Sequence, residues 1–301
     1  MMRLAPVLLI YVGTLTGMNA PLGKLAASAG VPAPVWALVV SAGASLPLFA
    51  WLALRARLAL PRGATARYVV LAGGITFVAA NLVLFLALPH VGAGHMGLMF
   101  ALSPLFTLAL ASALRMQAPG RIGLWGLALG FAGAVLIALT RGGVSQGMLW
   151  SLAALAMPAL LAAGNVYRSL AWPEGGDPIA LAAWSHLVAV GVFAAAIVVM
   201  GLPVGALAQV PLVTGTQILL SAITFPAFFL LQRLGGPVML SQLGYVAAAS
   251  GVLVAVTVLD EAFGPLAWVG AGLIALGVGF TVQDQRQGGL AAESRRAIGR
   301  T

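Results

Sequence analysis

Charged residues along this chain fall in short clusters, and the segments between them are long and almost wholly apolar. The uncharged runs are 4–23, 25–54, 68–114, 122–140, 142–167, 178–232, 234–259 and 262–283. A helix needs about 20 apolar residues to span a bilayer. In hydrocarbon every backbone N–H and C=O must be satisfied within the protein, which leaves helices or closed barrels. The runs lack the alternating pattern of barrel strands. Two runs are long enough for two helices each. Pro89-His90-Val91-Gly92-Ala93-Gly94 divides one, and Gly201-Leu202-Pro203-Val204-Gly205 divides the other. The pattern therefore predicts an all-α integral membrane protein of ten transmembrane helices. They are placed at 4–24, 33–54, 67–88, 92–114, 121–140, 147–170, 178–200, 210–233, 237–259 and 265–283. The first run continues past Met18-Asn19-Ala20-Pro21 without a small-residue cleavage site, so it is read as a helix rather than a signal peptide.

Composition sharpens the picture. Asp, Glu, Lys and Arg together make up 7% of the chain, against 61% hydrophobic residues. With a cytoplasmic N-terminus, 13 of the 15 basic residues, Arg168 among them, fall inside, and only Lys24 and Arg141 fall outside. That bias obeys the positive-inside rule and places both termini in the cytoplasm. The net charge of +9 is thus a topology signal, and no nucleic-acid partner is expected. The short loops and Ala-, Gly- and Arg-rich composition favour a bacterial inner membrane. The basic tail 285–301 reads as a disordered cytoplasmic end near anionic headgroups. With no cysteine, there is no disulfide or thiolate chemistry.

The chain also repeats itself. Gly74-Ile75-Thr76-Phe77-Val78-Ala79 resembles Ala222-Ile223-Thr224-Phe225-Pro226-Ala227, 148 residues later. Trp36 and Trp184 share that offset, while Asn19 and Asn165 are 146 apart, as are Pro32 and Pro178. The order of the matches predicts two repeats, 1–143 and 144–284, of five helices each. Five is odd, so the second enters the membrane from the opposite side. Inverted repeats of this kind build many alternating-access transporters.

At this point the sequence resembles the EamA-type transporters of the drug/metabolite transporter superfamily. The resemblance is carried by 94–133, with Ser103-Pro104-Leu105-Phe106-Thr107 in mid-helix and a Gly-rich fifth helix bearing Gly126, Gly130 and Gly133. Its second copy runs over 236–279, with Leu259-Asp260-Glu261 before the last helix. There are departures. Arg115-Met116-Gln117 stands where an acidic residue is common, and Ala247 takes the place of Pro104. Within the superfamily the chain looks most like the YddG-type amino-acid exporters. The resemblance implies a secondary transporter and no enzyme.

Candidate site residues are the polar and aromatic groups inside the runs, because polar groups in a bilayer core usually face the protein interior. They are Asn19, Phe77, Asn81, His95, Met99, Ser103, Asn165, Tyr167, Trp184, Phe228, Gln242 and Tyr245. The eighth helix adds a face of Phe225, Phe228, Phe229 and Gln232. His186 lies two positions from Trp184, about 200° round a helix, so the two cannot face one cavity. Trp184 is the one carried forward. Such a lining suits a small amphipathic solute. Pro104, Pro158 and Pro226 lie inside helices, where proline breaks a backbone hydrogen bond, and are candidate hinges. Glycines of the fifth and tenth helices read as close-packing surfaces.

What is missing narrows the chemistry. No Asp or Glu lies in any apolar run, so proton coupling would fall to His90, His95 or His186. There is no phosphate loop, no metal-ligand cluster and no nucleophile–base arrangement. Neither cofactor nor metal is expected. The expected partners are a small-molecule substrate and membrane lipids, with the chain as monomer or homodimer. The leading reading is a secondary exporter of small metabolites, with apolar and aromatic amino acids first, uncoupled or weakly proton-coupled. A multidrug or sugar-nucleotide transporter and a non-transporting scaffold are the alternatives.

Overall fold

The computed structural model describes residues 4–116, 120–139 and 146–298. Arg3, Gln117, Arg141 and Arg300, and the expected repeat boundary at 143, lie outside them. The first half contains α1 (Leu4–Gly17), α2 (Asn19–Ser28), α3 (Ala33–Leu54), α4 (Gly63–Ala72), α5 (Ala80–Val91), α6 (Ala93–Phe100), α7 (Ser103–Ala113) and α8 (Arg121–Leu139). The second half contains α9 (Gln146–Ala154), α10 (Ala156–Leu170), α11 (Pro178–Met200), α12 (Pro211–Ser241), α13 (Leu243–Thr257) and α14 (Pro265–Ile298). A π-helical segment, Gly73–Ala79, joins α4 to α5, and a 3-10 turn, Val204–Gln209, precedes α12.

Among the described residues, six spans are long and apolar enough to cross a membrane: Ala33–Leu54, Gly63–Val91, Ala93–Ala113, Met148–Leu170, Pro178–Met200 and Pro211–Leu234. Leu243–Thr257 and Pro265–Gly277 are shorter apolar helices. The protein is an all-α, multi-pass membrane protein. Its outer surface agrees with that. Large apolar side chains such as Leu46, Val198, Val199, Leu219 and Leu253 stand exposed, which only a lipid solvent tolerates over so large an area.

Proline explains several interruptions. Met18 separates α1 from α2 three residues before Pro21; Ala101 and Leu102 separate α6 from α7 just before Pro104; Leu155 separates α9 from α10 three residues before Pro158. Each break falls where a proline withholds an N–H from the preceding turn and crowds its carbonyl. Pro226 behaves differently: α12 passes through it without interruption. Helix α12 also continues through Gly235-Gly236-Pro237 to Ser241, so no break marks the expected start at 237. Helix α14 runs on to Ile298, so the tail expected to be disordered is helical over 285–298.

Close packing uses glycine where expected. A Cβ on Gly133 would meet the Gly270 carbonyl and Ile274, and one on Gly277 would meet the Gly126 carbonyl at 2.6 Å. Helices α8 and α14 therefore touch backbone to backbone, the usual device where lipid gives no hydrophobic drive to association. Helix α1 packs on α13, α13 on α6, α3 on α11 and α10 on α7. The turn between α5 and α6 is a single residue, Gly92, at φ 88°, a left-handed conformation that suits glycine. The Glu261 carboxylate accepts from the backbone N–H of Ala93 at 2.7 Å and of Gly94 at 2.9 Å. It thereby ties the α13–α14 loop to the start of α6, where the helix dipole favours a negative charge.

Candidate functional site

The π-helical segment is where the interior becomes chemically distinctive. Adjacent glycines, Gly73 and Gly74, open it, and a Cβ on Gly73 would collide with the Ser185 carbonyl of α11. The wider turn carries Thr76 and Phe77, both buried. Such bulges recur at functional sites because they re-aim side chains that a regular helix would hold elsewhere.

Thr76 accepts a short hydrogen bond from a terminal nitrogen of Arg168. The other terminal nitrogen donates to Asn165 Oδ1 at 2.7 Å, and Nε donates to Gln232 Oε1 at 3.2 Å. Gln232 in turn donates from Nε2 to Ser169 Oγ at 2.5 Å. Arg168 is 0% exposed, and its guanidinium lies 5.0 Å from the Phe228 ring centroid and 6.0 Å from that of Phe77. Gly164 makes the arrangement possible: a Cβ there would strike Thr76 Oγ1 and come within 3.1 Å of the guanidinium.

Phe77 is also the centre of an aromatic cluster. It meets Phe225 at 5.5 Å, Phe229 at 6.1 Å and Phe228 at 6.5 Å between centroids. His186 stacks on Phe77 at 3.8 Å and lies 4.0 Å from Phe225. Both His186 ring nitrogens are buried without a hydrogen-bond partner.

The energetics of Arg168 are finely balanced. Removing a cation from water costs several kcal/mol even after relaxation. Hydrogen bonds involving a charged partner return about 1.5–3 kcal/mol each, and a desolvated cation–π contact about 2 kcal/mol. Those contacts stabilise the charge without neutralising it. The chain has only six acidic residues, none of them inside an apolar run. Glu261 caps α6, Asp177 accepts from Ile179 N–H at the start of α11, and Asp284 accepts from Gly120 N–H. All three of its hydrogen-bond partners are neutral, so the guanidinium remains a net positive charge in a low-dielectric interior, where its field reaches far.

Beside it lies a small cavity of about 50 Å³, lined by Thr16, Phe100, Ser103, Asn165, Phe228 and Gly244 among others. It has room for a few waters and is far below the roughly 300–1,000 Å³ of a ligand pocket. Two larger clefts open towards opposite helix ends. One, about 290 Å³, is lined by Gly23, Val31, Trp36, Phe85, Pro89 and His90. The other, about 430 Å³, is lined by Tyr11, Asp177, Pro226, Leu230 and Arg233 among others.

The sequence-derived candidates divide accordingly. Phe77, Asn165 and Phe228 converge on Arg168, and Ser103 lines the adjoining cavity with Asn165. Asn19 is buried on α2, donating to the Thr16 carbonyl at 2.9 Å and accepting from Gln217 Nε2 at 3.0 Å. His95 and Met99 are buried in α6, and Gln242 stands between α12 and α13. The half-buried Asn81 keeps an unpartnered amide nitrogen on α5. Tyr245 lines a separate groove with Leu98, Val252 and Ile274. Tyr167 stacks on Tyr68 at 6.0 Å between centroids. Trp184 donates to the Ala59 carbonyl at 3.1 Å and packs edge-on against Phe49. Of the pair on α11, it is His186 that meets the cluster. Arg168 is the largest correction: it stands in the last turn of α10, as a helix-end charge would, but it is fully buried rather than turned to water. Its spacing of three from Asn165, which puts both on one helix face, was the available signal. Thr76 and Gln217 are other polar groups that the candidates did not include, and His186 was weighed only as the lesser of the pair on its helix.

Among the described residues, no group of three or more His, Asp and Glu could hold a metal ion. No curated protein matches the chain. A chain of known crystal structure matches it with a TM-score of 0.62 at 20% identity, covering 91% of this chain and 98% of its own, a likeness of fold. Residues 3–139 match the EamA-like transporter family, so a domain of that transporter family, from the drug/metabolite superfamily, is present over this part of the chain.

Proposed function

We propose that the protein is a secondary transporter that moves small metabolites by alternating access, with apolar and aromatic amino acids as the leading substrates. The observation that carries this is the buried polar and aromatic cluster around Arg168, drawn from the π-helical segment, α10, α11 and α12. It combines aromatic rings for an apolar body with amide, hydroxyl and guanidinium groups for a polar end, as an amphipathic solute requires. The clefts towards opposite helix ends, with only a small cavity beside the cluster, fit an occluded state of a protein that opens to each side in turn.

The architecture behind it is two inverted five-helix repeats making ten membrane-spanning helices. The packing of α1 on α13 and of α10 on α7 supports this, because the repeat exchanges those two pairs. Contact between the offset-matched residues Phe77 and Phe225, at 5.5 Å between centroids, is what such an exchange would bring together near its axis. Export of amino acids, the activity of the YddG-type proteins the sequence resembles, is the direction we assign. The setting is a bacterial inner membrane, with both termini cytoplasmic and the chain acting as monomer or homodimer. With no carboxylate in the apolar runs, transport is uncoupled or weakly coupled through histidine.

Counterflow of labelled amino acids in proteoliposomes, without an ion gradient, tests this. Apolar and aromatic amino acids should exchange. Robust movement of a sugar-nucleotide or lipophilic cation without amino-acid flux would refute the substrate assignment. Flux that requires a proton gradient and survives loss of all three histidines would refute the coupling assignment. Orientation has its own check, because the chain has no native cysteine. An impermeant thiol reagent outside the cell should label a cysteine at Gly205 and spare one at Gly63 or Gly175; the reverse pattern overturns the topology.

A further inference from the structure

We infer that Arg168 is the anchor for a carboxylate, so that the protein selects solutes bearing that group and rejects otherwise identical ones that lack it. The inference rests on the transport reading above and names the chemical class its site takes.

Three observations carry it. The first is donor arithmetic. A guanidinium has five N–H donors, and Arg168 uses three, one on each of its nitrogens, towards Thr76, Asn165 and Gln232. One N–H is left on each terminal nitrogen. Both free donors sit on one planar cationic group, and carboxylate oxygens are the strongest acceptors such donors take. The second is charge. The three side chains that Arg168 bonds are all neutral, and none of the six acidic residues lies in an apolar run, so its charge is left for an outside anion to meet. The third is position. Asn165 and Phe228, which hold and cover the guanidinium, also line the small cavity, so a solute entering there arrives beside it.

The fixed acceptors explain why the charge is left for an outside anion to meet. Thr76 and Asn165 offer neutral oxygens, and the amide of Gln232 is itself held by Ser169. They fix the plane of the guanidinium without cancelling its charge. Phe77 and Phe228 then sit where the apolar remainder of the solute would lie.

The test compares matched ligands on the purified full-length protein, read as thermal stabilisation and as inhibition of counterflow. One pair is L-phenylalanine and L-phenylalaninamide; the other is 3-phenylpropionate and 3-phenylpropionamide. Each pair differs only at the carboxyl group, so wild-type protein suffices even if a variant fails to fold. The carboxylate of at least one pair should act at concentrations at least about tenfold below its amide, the order expected for losing a charge-assisted bidentate contact. Arg168→Gln should abolish that preference, and Arg168→Lys should keep part of it. Action by 3-phenylpropionate without phenylalanine would uphold the carboxylate anchor while refuting the amino-acid reading. Equal action of acid and amide in both pairs, equal stabilisation by chloride, or no response to either carboxylate overturns the inference.

Discussion

Asn19 and Asn165 lie 146 residues apart at matched positions of the repeating sequence, yet they hold different partners. Asn165 accepts from the buried cation Arg168, while Asn19 accepts from the neutral amide of Gln217, which also donates to Ser221 at 3.1 Å. The same offset pairs Arg168 with Leu22 and Gly164 with Met18. One half of the molecule has thus kept a polar anchor and made it neutral. The other has placed a charge one turn away and a glycine where that charge needs room. Under the proposed alternating-access reading, matched positions with unequal chemistry suit two halves that exchange positions while the solute binds in one orientation.

Substituting the two asparagines gives the largest contrast. Asn165→Leu leaves a charged donor without its acceptor in a fully buried site, a loss of about 1.5–3 kcal/mol. Asn19→Leu leaves Gln217 still bonded to Ser221, so the loss should be about 0.5–1.5 kcal/mol. Melting in detergent should rank the variants in that order. Counterflow should fall at least about tenfold for Asn165→Leu, and by a few-fold at most for Asn19→Leu. Equal losses would mean that the charge at Arg168 adds nothing to the matched polar position.

How much of this was readable beforehand follows the same divide. The helices were legible because charge marks their ends, and spans such as Ala33–Leu54 and Pro178–Met200 coincide with the apolar pattern. Breaks before Pro104 and Pro158 were legible because proline acts locally. The π-helical segment was not, since a Gly-Gly pair reads equally well as close packing. Which of Trp184 and His186 meets the aromatic cluster was not legible, for a reason peculiar to membranes. Helix α11 is apolar all round, so periodicity does not separate its buried stripe, through Ala182, His186, Ala189 and Phe193, from its lipid face. Arg168 was misplaced because it lies near the end of its helix, where basic residues ordinarily meet water, and only tertiary contacts reveal that α4, the π-helical segment and α12 close over it.

The sharpest contrast is between Thr76 and Thr224, matched at an offset of 148. Both are buried threonines in apolar helices. Thr224 donates back to the Leu220 carbonyl of its own helix at 2.6 Å. A bond of that kind competes with the helix ladder and adds little stability. Thr76 accepts from Arg168 across to α10. Valine preserves the shape of either side chain and removes the oxygen. Thr224→Val should therefore change stability by no more than about 0.5 kcal/mol. Thr76→Val should cost about 1–3 kcal/mol, because it strips an acceptor from a buried charge. The functional readout separates the sites further. Thr224→Val should leave the preference for carboxylate over amide ligands intact, while Thr76→Val frees a donor, lets the guanidinium rotate out of its plane and weakens that preference. If both variants behave alike in stability and in ligand preference, Thr76 does not orient Arg168, and the asymmetry between the halves lies in the arginine alone.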